Sequence, residues 1–217
     1  MQQGKKTIFY TRDELISRLA GYERTLIDLG TGDGRFVYRQ AGENPHIFYI
    51  GVDAIGENMQ ELSQRVLKKP TRGGRPNAIF IVASIENLPP ELTGLADTIT
   101  INFPWGYLLK ALIQPEFHIL RSIVTLAKPD ARLVMLVNYS VFENQNYIER
   151  LDIPAMTTDR ITEVLQPTYK QAGIILTNFA FLSRDVPHRT TWGQRLILGS
   201  ARETLLLEGL INPLSVV

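Results

Sequence analysis

Residues 28–35 read D-L-G-T-G-D-G-R, three glycines at alternate positions behind an acid. Gly30, Gly32 and Gly34 let the backbone turn tightly and approach a ligand where a side chain would block it. Their spacing narrows the choice of ligand. A pyrophosphate loop reads G-x-G-x-x-G and rests its phosphates on the next helix N-terminus. That pattern needs glycine at position 35, which is Arg35. Asp28 in front of the loop would also repel a pyrophosphate. A second acid, Asp53, ends the apolar run Y-I-G-V-D, 19 residues past Gly34. There a nucleotide-binding α/β fold places the carboxylate that accepts bonds from ribose hydroxyls. A plainer reading of the loop is a tight turn whose Asp33 caps the following helix.

The other residues with chemistry to offer lie further on. Residues 99–106 read I-T-I-N-F-P-W-G, a strand-like run that ends in Asn102, Phe103, Pro104 and Trp105. The chain has two tryptophans. Trp105 stands between Pro104 and Gly106 and Trp192 between Thr191 and Gly193, settings that suit a ring presented to a planar partner better than one in mid-strand. Net charge is only +1, yet no acid falls between Glu61 and Glu86, a window holding Arg65, Lys68, Lys69, Arg72 and Arg75. None falls between Asp185 and Glu203 either, where His188, Arg189, Arg195 and Arg202 lie. Two such windows on a nearly neutral chain point to a polyanionic partner, although a single charge run is often only solvated surface.

Several chemistries are excluded or disfavoured. With no cysteine there is no disulfide, thiolate metal site or cysteine nucleophile. His46, His118 and His188 form no metal-ligand spacing, so no metal is expected. The N-terminal M-Q-Q-G-K-K-T lacks a signal-peptide core, and no apolar run approaches the ~18 residues of a membrane span. A cytoplasmic protein without a membrane partner is expected.

The elements that must position these residues alternate between strand and helix, which implies a mainly parallel sheet. T-R-D-E at 11–14 has capping-box spacing and predicts a helix over 12–21. Strands are predicted at T-L-I-D-L-G, I-F-Y-I-G-V-D, A-I-F-I-V-A, A-D-T-I-T-I-N-F, R-L-V-M-L-V-N-Y, I-I-L-T-N-F-A-F and R-L-I-L-G-S, the last spanning 195–200. Helices are expected after Gly34, over E-N-M-Q-E-L-S-Q-R-V-L, at 106–113, at 116–127 and at 158–172, with Pro167 starting a second segment. No helix separates the last two strands, so they should pair antiparallel. Residues 1–217 are expected to form one domain, with an N-terminal extension over 1–22 and insertions near 69–76 and 140–157.

The acid-x-Gly-x-Gly-x-Gly loop resembles motif I of S-adenosylmethionine-dependent methyltransferases. The element order is that of the Rossmann-like class I methyltransferase fold, a seven-stranded mostly parallel sheet with an antiparallel last strand. The resemblance implies S-adenosylmethionine as cofactor, held by Asp28, Gly30, Thr31, Gly32, Asp33, Gly34, Asp53 and Asn102. It places Ser84 and Glu86, after the third strand, at the adenine ring, although Ser84 also suits a turn. The cofactor's methionine end carries an ammonium and a sulfonium, which a carboxylate at Asp28 attracts.

N-F-P-W is similar to the D/N-P-P-Y/F/W loop of amino-methylating nucleic-acid enzymes, with Phe103 in place of the first proline. D-L-G-T-G-D-G-R, F-Y-I-G-V-D, K-K-P-T-R-G-G, E-N-L-P-P-E-L, F-P-W-G-Y-L-L and T-T-W-G-Q-R-L together resemble a narrower family, the aminoglycoside-resistance 16S rRNA (adenine 1408, N1) methyltransferases. The resemblance runs from about residue 5 to residue 202 and leaves the tail from Glu203 unmatched. It implies that Trp105 and Trp192 sandwich a flipped adenine while Phe103 and Pro104 orient its edge. Extruding a base costs a few kcal/mol, which stacking worth roughly 1–3 kcal/mol per base can offset. Lys68, Lys69, Arg72, Arg195 and Arg202 would contact rRNA phosphates on a 30S subunit near helix 44, met by a monomer. Ser200 stands where the resistance enzymes carry a basic residue. The neighbouring alternatives are a tRNA guanine-N7 methyltransferase, whose N-F-x-D-P-W-P motif has an aspartate and second proline missing here, and a weakly active ribosome-binding homologue.

Overall fold

A computed structural model describes residues 1–138, 146, 149–150, 152–154, 156–182 and 204–212. The elements are β1 (Gln2–Gln3), β2 (Lys6–Thr7), α1 (Arg12–Leu19), β3 (Arg24–Leu29), α2 (Arg35–Glu43), β4 (Ile47–Asp53), α3 (Gly56–Arg65) and β5 (Ala78–Val82). They continue with β6 (Ala96–Asn102), α4 (Gly106–Ile113), α5 (Phe117–Leu126), β7 (Ala127–Asn138), a three-part helix α6, β8 (Ile174–Leu182) and β9 (Thr204–Ile211). In α6, Thr158–Arg160 leads through a π-helical stretch, Ile161–Leu165, into Gln166–Ala172. Pro167 falls in the first turn of that last segment, where a missing N–H is tolerated. Thr11 and Glu14 form the expected capping box on α1.

The sheet runs β2-β1-β5-β4-β3-β6-β7-β9-β8. Strands β5, β4, β3, β6 and β7 are parallel, and β9 pairs antiparallel with both β7 and β8. The order reverses at β3, with β4 on one side and β6 on the other, so a crevice opens beyond the strand ends there. Helices α2 and α3 cover one face through Phe36, Val37, Met59 and Leu62, packed with Phe80 of β5. On the other, α1, α4, α5 and α6 bury the larger core, which includes Leu15, Leu109, Ile123 and Tyr169.

Two expectations are corrected. The sheet has nine strands among the described residues rather than seven, because β1 and β2 add a short hairpin at its edge. Two-residue polar strands carry no alternation to read. The strand beside β7 is Thr204–Ile211, not the R-L-I-L-G-S run at 195–200, which lies outside the described residues. Two apolar runs flank Ala201–Arg202, and T-L-L-L is the one buried between two neighbours. The tail that had no counterpart in the family resemblance therefore supplies an interior strand. Among the described residues no helix is long and apolar enough to cross a membrane, and no cluster of acids and histidines could hold a metal ion.

Candidate active site

Asp28 sits near the end of β3, 2% exposed, in the strand at the reversal point. From β6 next door, the Thr100 hydroxyl and the Asn102 amide both donate to its Oδ1, at 2.7 and 2.9 Å. Both donors converge on one oxygen. Burial raises the Asp28 carboxyl to about 6, opposed by the nearby Thr31 hydroxyl and the hydrogen bonds from Thr100 and Asn102 and reinforced by the charge of Asp53. Thr31 favours the ionised form, yet its buried hydroxyl completes no well-aligned bond of its own.

The loop after β3 places Gly30, Gly32 and Gly34 at φ of 71°, 59° and 75°. All three lie in the left-handed region that a Cβ disfavours. Asp53 braces the loop: its Oδ2 accepts from the Gly32 N–H at 2.8 Å and its Oδ1 from the Ile55 N–H at 2.9 Å. Asp33 accepts from the Arg35 N–H at 3.1 Å, a local turn bond just ahead of α2. The glycines differ in what surrounds them. A Cβ at Gly32 would meet nothing, whereas one at Gly34 would strike the Phe80 ring, so Gly34 brings α2 against β5.

The strand-4 motif follows β6. Phe103 has φ 53° although it is not glycine, is 4% exposed, and packs on Val134, Leu136 and Leu206. Its N–H donates to the Leu136 carbonyl at 2.7 Å. Proline fixes φ near −65° and has no N–H, which explains physically why this loop departs from N-P-P-W. Pro104 is buried, and Trp105, 42% exposed, precedes α4 at its N-cap.

One cavity of about 430 Å³ joins these parts. Asp28, Gly30, Thr31, Gly32, Asp33, Asp53, Ser84, Glu86, Asn102, Phe103, Pro104 and Trp105 all line it; Gly34 does not. The sequence reading missed Phe36, Ile55, Asn58, Ile85, Leu88, Tyr107 and Leu108 on its walls. Only their nearness to the motifs in the chain signalled them. The donor set fits S-adenosylmethionine. It offers a buried carboxylate for an ammonium, a second for ribose hydroxyls, apolar walls at Ile55, Ile85 and Leu88, and a glycine backbone without Cβ obstruction at Gly32.

Lys68, Lys69 and Arg72 lie apart from this cavity, all exposed, on the turn after α3. The turn is rigidly built. The Tyr38 hydroxyl donates to the Gly73 carbonyl at 2.7 Å, and the Arg65 and Arg75 guanidiniums lie 5.0 and 4.9 Å from the Tyr38 ring centre. A Cβ at Gly74 would collide with the Lys68 carbonyl. Two of the window's five cations therefore brace the turn and three point outward; among the described residues none of those three forms an ion pair. Trp192, Arg195 and Arg202 lie outside the described residues.

A family model described as NpmA, 16S rRNA (adenine(1408)-N(1))-methyltransferase, matches residues 1–211. The chain belongs to this family. The match includes β9, the strand that the sequence reading left in the unmatched tail. An Escherichia coli 16S rRNA (adenine(1408)-N(1))-methyltransferase is 34% identical over 97% of both chains. The crystal structure of the antibiotic-resistance methyltransferase Kmr superposes with a TM-score of 0.84 at 46% identity, covering 99% of both chains. A variant of the 16S rRNA (adenine(1408)-N(1))-methyltransferase from Catenulisporales acidiphilia, solved with cosubstrate SAM, gives a TM-score of 0.87 at 30% identity, covering 98% of this chain and 96% of that one. The NpmA-family chain is thus a Rossmann-like rRNA methyltransferase with two extra strands at its sheet edge.

Proposed function

We propose that this NpmA-family member transfers the methyl group of S-adenosylmethionine to N1 of adenine 1408 in the 16S rRNA of an assembled 30S subunit, near helix 44. The observation that carries the reading is the single cavity in which the glycine loop and Asp53 meet Phe103, Pro104 and Trp105. When bound, the cofactor supplies an electrophilic methyl on a sulfonium. Asp28 holds the ammonium of its methionine end, Asp53 the ribose hydroxyls, and Ser84 and Glu86 the adenine edge.

Adenine N1 is an unprotonated ring nitrogen, so transfer needs alignment rather than a general base. Phe103 and Pro104 orient the edge of the target base, and Trp105 stacks on one face with Trp192 closing the other. Lys68, Lys69 and Arg72, with Arg195 and Arg202, fix the enzyme on the subunit through phosphates. The chain works as a monomer in the cytoplasm, where its substrate is.

The test is transfer from methyl-labelled S-adenosylmethionine to purified 30S subunits and, separately, to unmodified tRNA, followed by digestion to nucleosides, with 30S binding measured in parallel by co-sedimentation. Label in N1-methyladenosine supports the reading. Label in 7-methylguanosine of tRNA favours the guanine-N7 alternative, and 30S binding without label favours a weakly active homologue.

A further inference from the structure

We propose that the N-terminal hairpin is a further rRNA-binding surface, with Lys5 and Lys6 on phosphates and Phe9 stacked against an unpaired base. The inference rests on the proposed role of Lys68, Lys69 and Arg72 and extends their surface onto another part of the fold.

The hairpin is fixed in place. Gln2 is 6% exposed and pairs with Phe80 on β5, which seats β1 on the sheet. The Gly4 N–H donates to Ser63 Oγ at 2.9 Å, tying the tip of the hairpin to α3. At its open end the Met1 ammonium donates to the Ile8 carbonyl at 2.6 Å, and the Ile8 N–H donates to the Met1 carbonyl at 2.8 Å. Lys5 and Lys6 therefore have a set position relative to the end of α3. They share a shallow surface depression with Gln64 and Leu67, and Leu67 directly precedes Lys68 and Lys69. The hairpin lysines thus border the end of the same segment that carries the basic turn.

Both hairpin lysines are exposed, and among the described residues neither makes an ion pair or a side-chain hydrogen bond. Glu57 and Glu61 line the same depression without reaching ion-pair distance. Phe9, three residues past Lys6, is 92% exposed, the most of any large apolar side chain described. Exposed cations and a bare aromatic ring on one short hairpin segment suit structured RNA, where phosphates take the charge and splayed bases take the ring. Lysines on an edge strand have another use, blocking edge-to-edge pairing of sheets. That use does not account for Phe9.

The experiment compares the full chain with the double variant Lys5→Ala/Lys6→Ala, with Phe9→Ala, and with Lys68→Ala/Lys69→Ala/Arg72→Ala. It measures affinity for 30S subunits across a salt series, with S-adenosylmethionine affinity as the check on folding. The hairpin double variant is expected to bind 30S about tenfold more weakly near physiological salt and to flatten the log K against log salt slope by about 2, one unit per phosphate contact. Phe9→Ala is expected to weaken binding with the slope unchanged. Full 30S affinity in the hairpin variants, with loss in the Lys68/Lys69/Arg72 variant, overturns the hairpin surface and spares the proposed function. Full affinity in all variants overturns the hairpin surface together with the docking role of Lys68, Lys69 and Arg72 on which it rests. Self-association of Lys5→Ala/Lys6→Ala at full 30S affinity assigns the lysines to edge protection and also overturns the proposal.

Discussion

At the scale of the residue, burial raises the Asp28 carboxyl from 3.8 to about 6 despite the Thr100 and Asn102 hydrogen bonds that favour its ionised form. Its folded pKa lies above its unfolded one. The resulting contribution to stability is complete below about pH 3.8 and is lost as pH rises through about 6, on the order of 3 kcal/mol in all. Asp28→Asn is therefore expected to raise the melting temperature of the ligand-free chain at pH 8 by more than at pH 4. The same carboxylate attracts an ammonium, so cofactor affinity should fall as pH drops from 7 to 5. Calorimetry on Asp28→Asn should find weak binding and no such slope. Thr100→Val removes one donor to the ionised form, which should move that pH dependence upward, and Thr100→Ser should restore it. Asp28 and Asp53 were legible in the sequence because an acid at a strand end beside glycines has few structural uses. Thr100 was not, since a threonine inside a strand reads as an ordinary β-former.

Among the elements, the β6–α4 turn carries the sharpest constraint. Phe103 holds a left-handed conformation, donates its N–H to Leu136 and packs against β7 and β9. Phe103→Pro would restore the N-P-P-W spelling and yet remove that bond and force φ to change sign. It is expected to cost about 3 kcal/mol or more in urea unfolding and to abolish methyl transfer. The glycines make a complementary test: Gly34→Ala should destabilise through Phe80, and Gly74→Ala should disturb the basic turn, lowering 30S affinity while leaving cofactor affinity intact. Strands β3 to β6 could be read from their apolar runs and the breakers around them. Strand β9 was misplaced because two apolar runs lie near the C-terminus and local pattern does not say which one finds neighbours on both sides.

For the whole molecule, the proposed function divides chemistry from docking between the cavity at the point of strand-order reversal and the outward basic turn braced by Tyr38. Bacteria expressing the chain are expected to resist kanamycin and apramycin and to remain sensitive to an unrelated antibiotic. Trp105→Ala should lower kcat/KM on 30S roughly 5–150-fold, the value of ~1–3 kcal/mol of base stacking, with melting temperature little changed because the ring is half exposed. The parallel centre of the sheet was legible in the alternation of elements, and the cofactor loop in its glycine spacing together with its resemblance to motif I. The relation of the basic window to the hairpin could not, because only the folded chain brings Lys5 and Lys6 beside Leu67. The most direct measurement is primer extension along 16S rRNA from 30S subunits incubated with the chain and S-adenosylmethionine. N1 methylation blocks base pairing, so a reverse-transcriptase stop at adenine 1408 that requires the cofactor is expected. Full-length extension through that position, while a known relative produces the stop on the same subunits, would contradict the account.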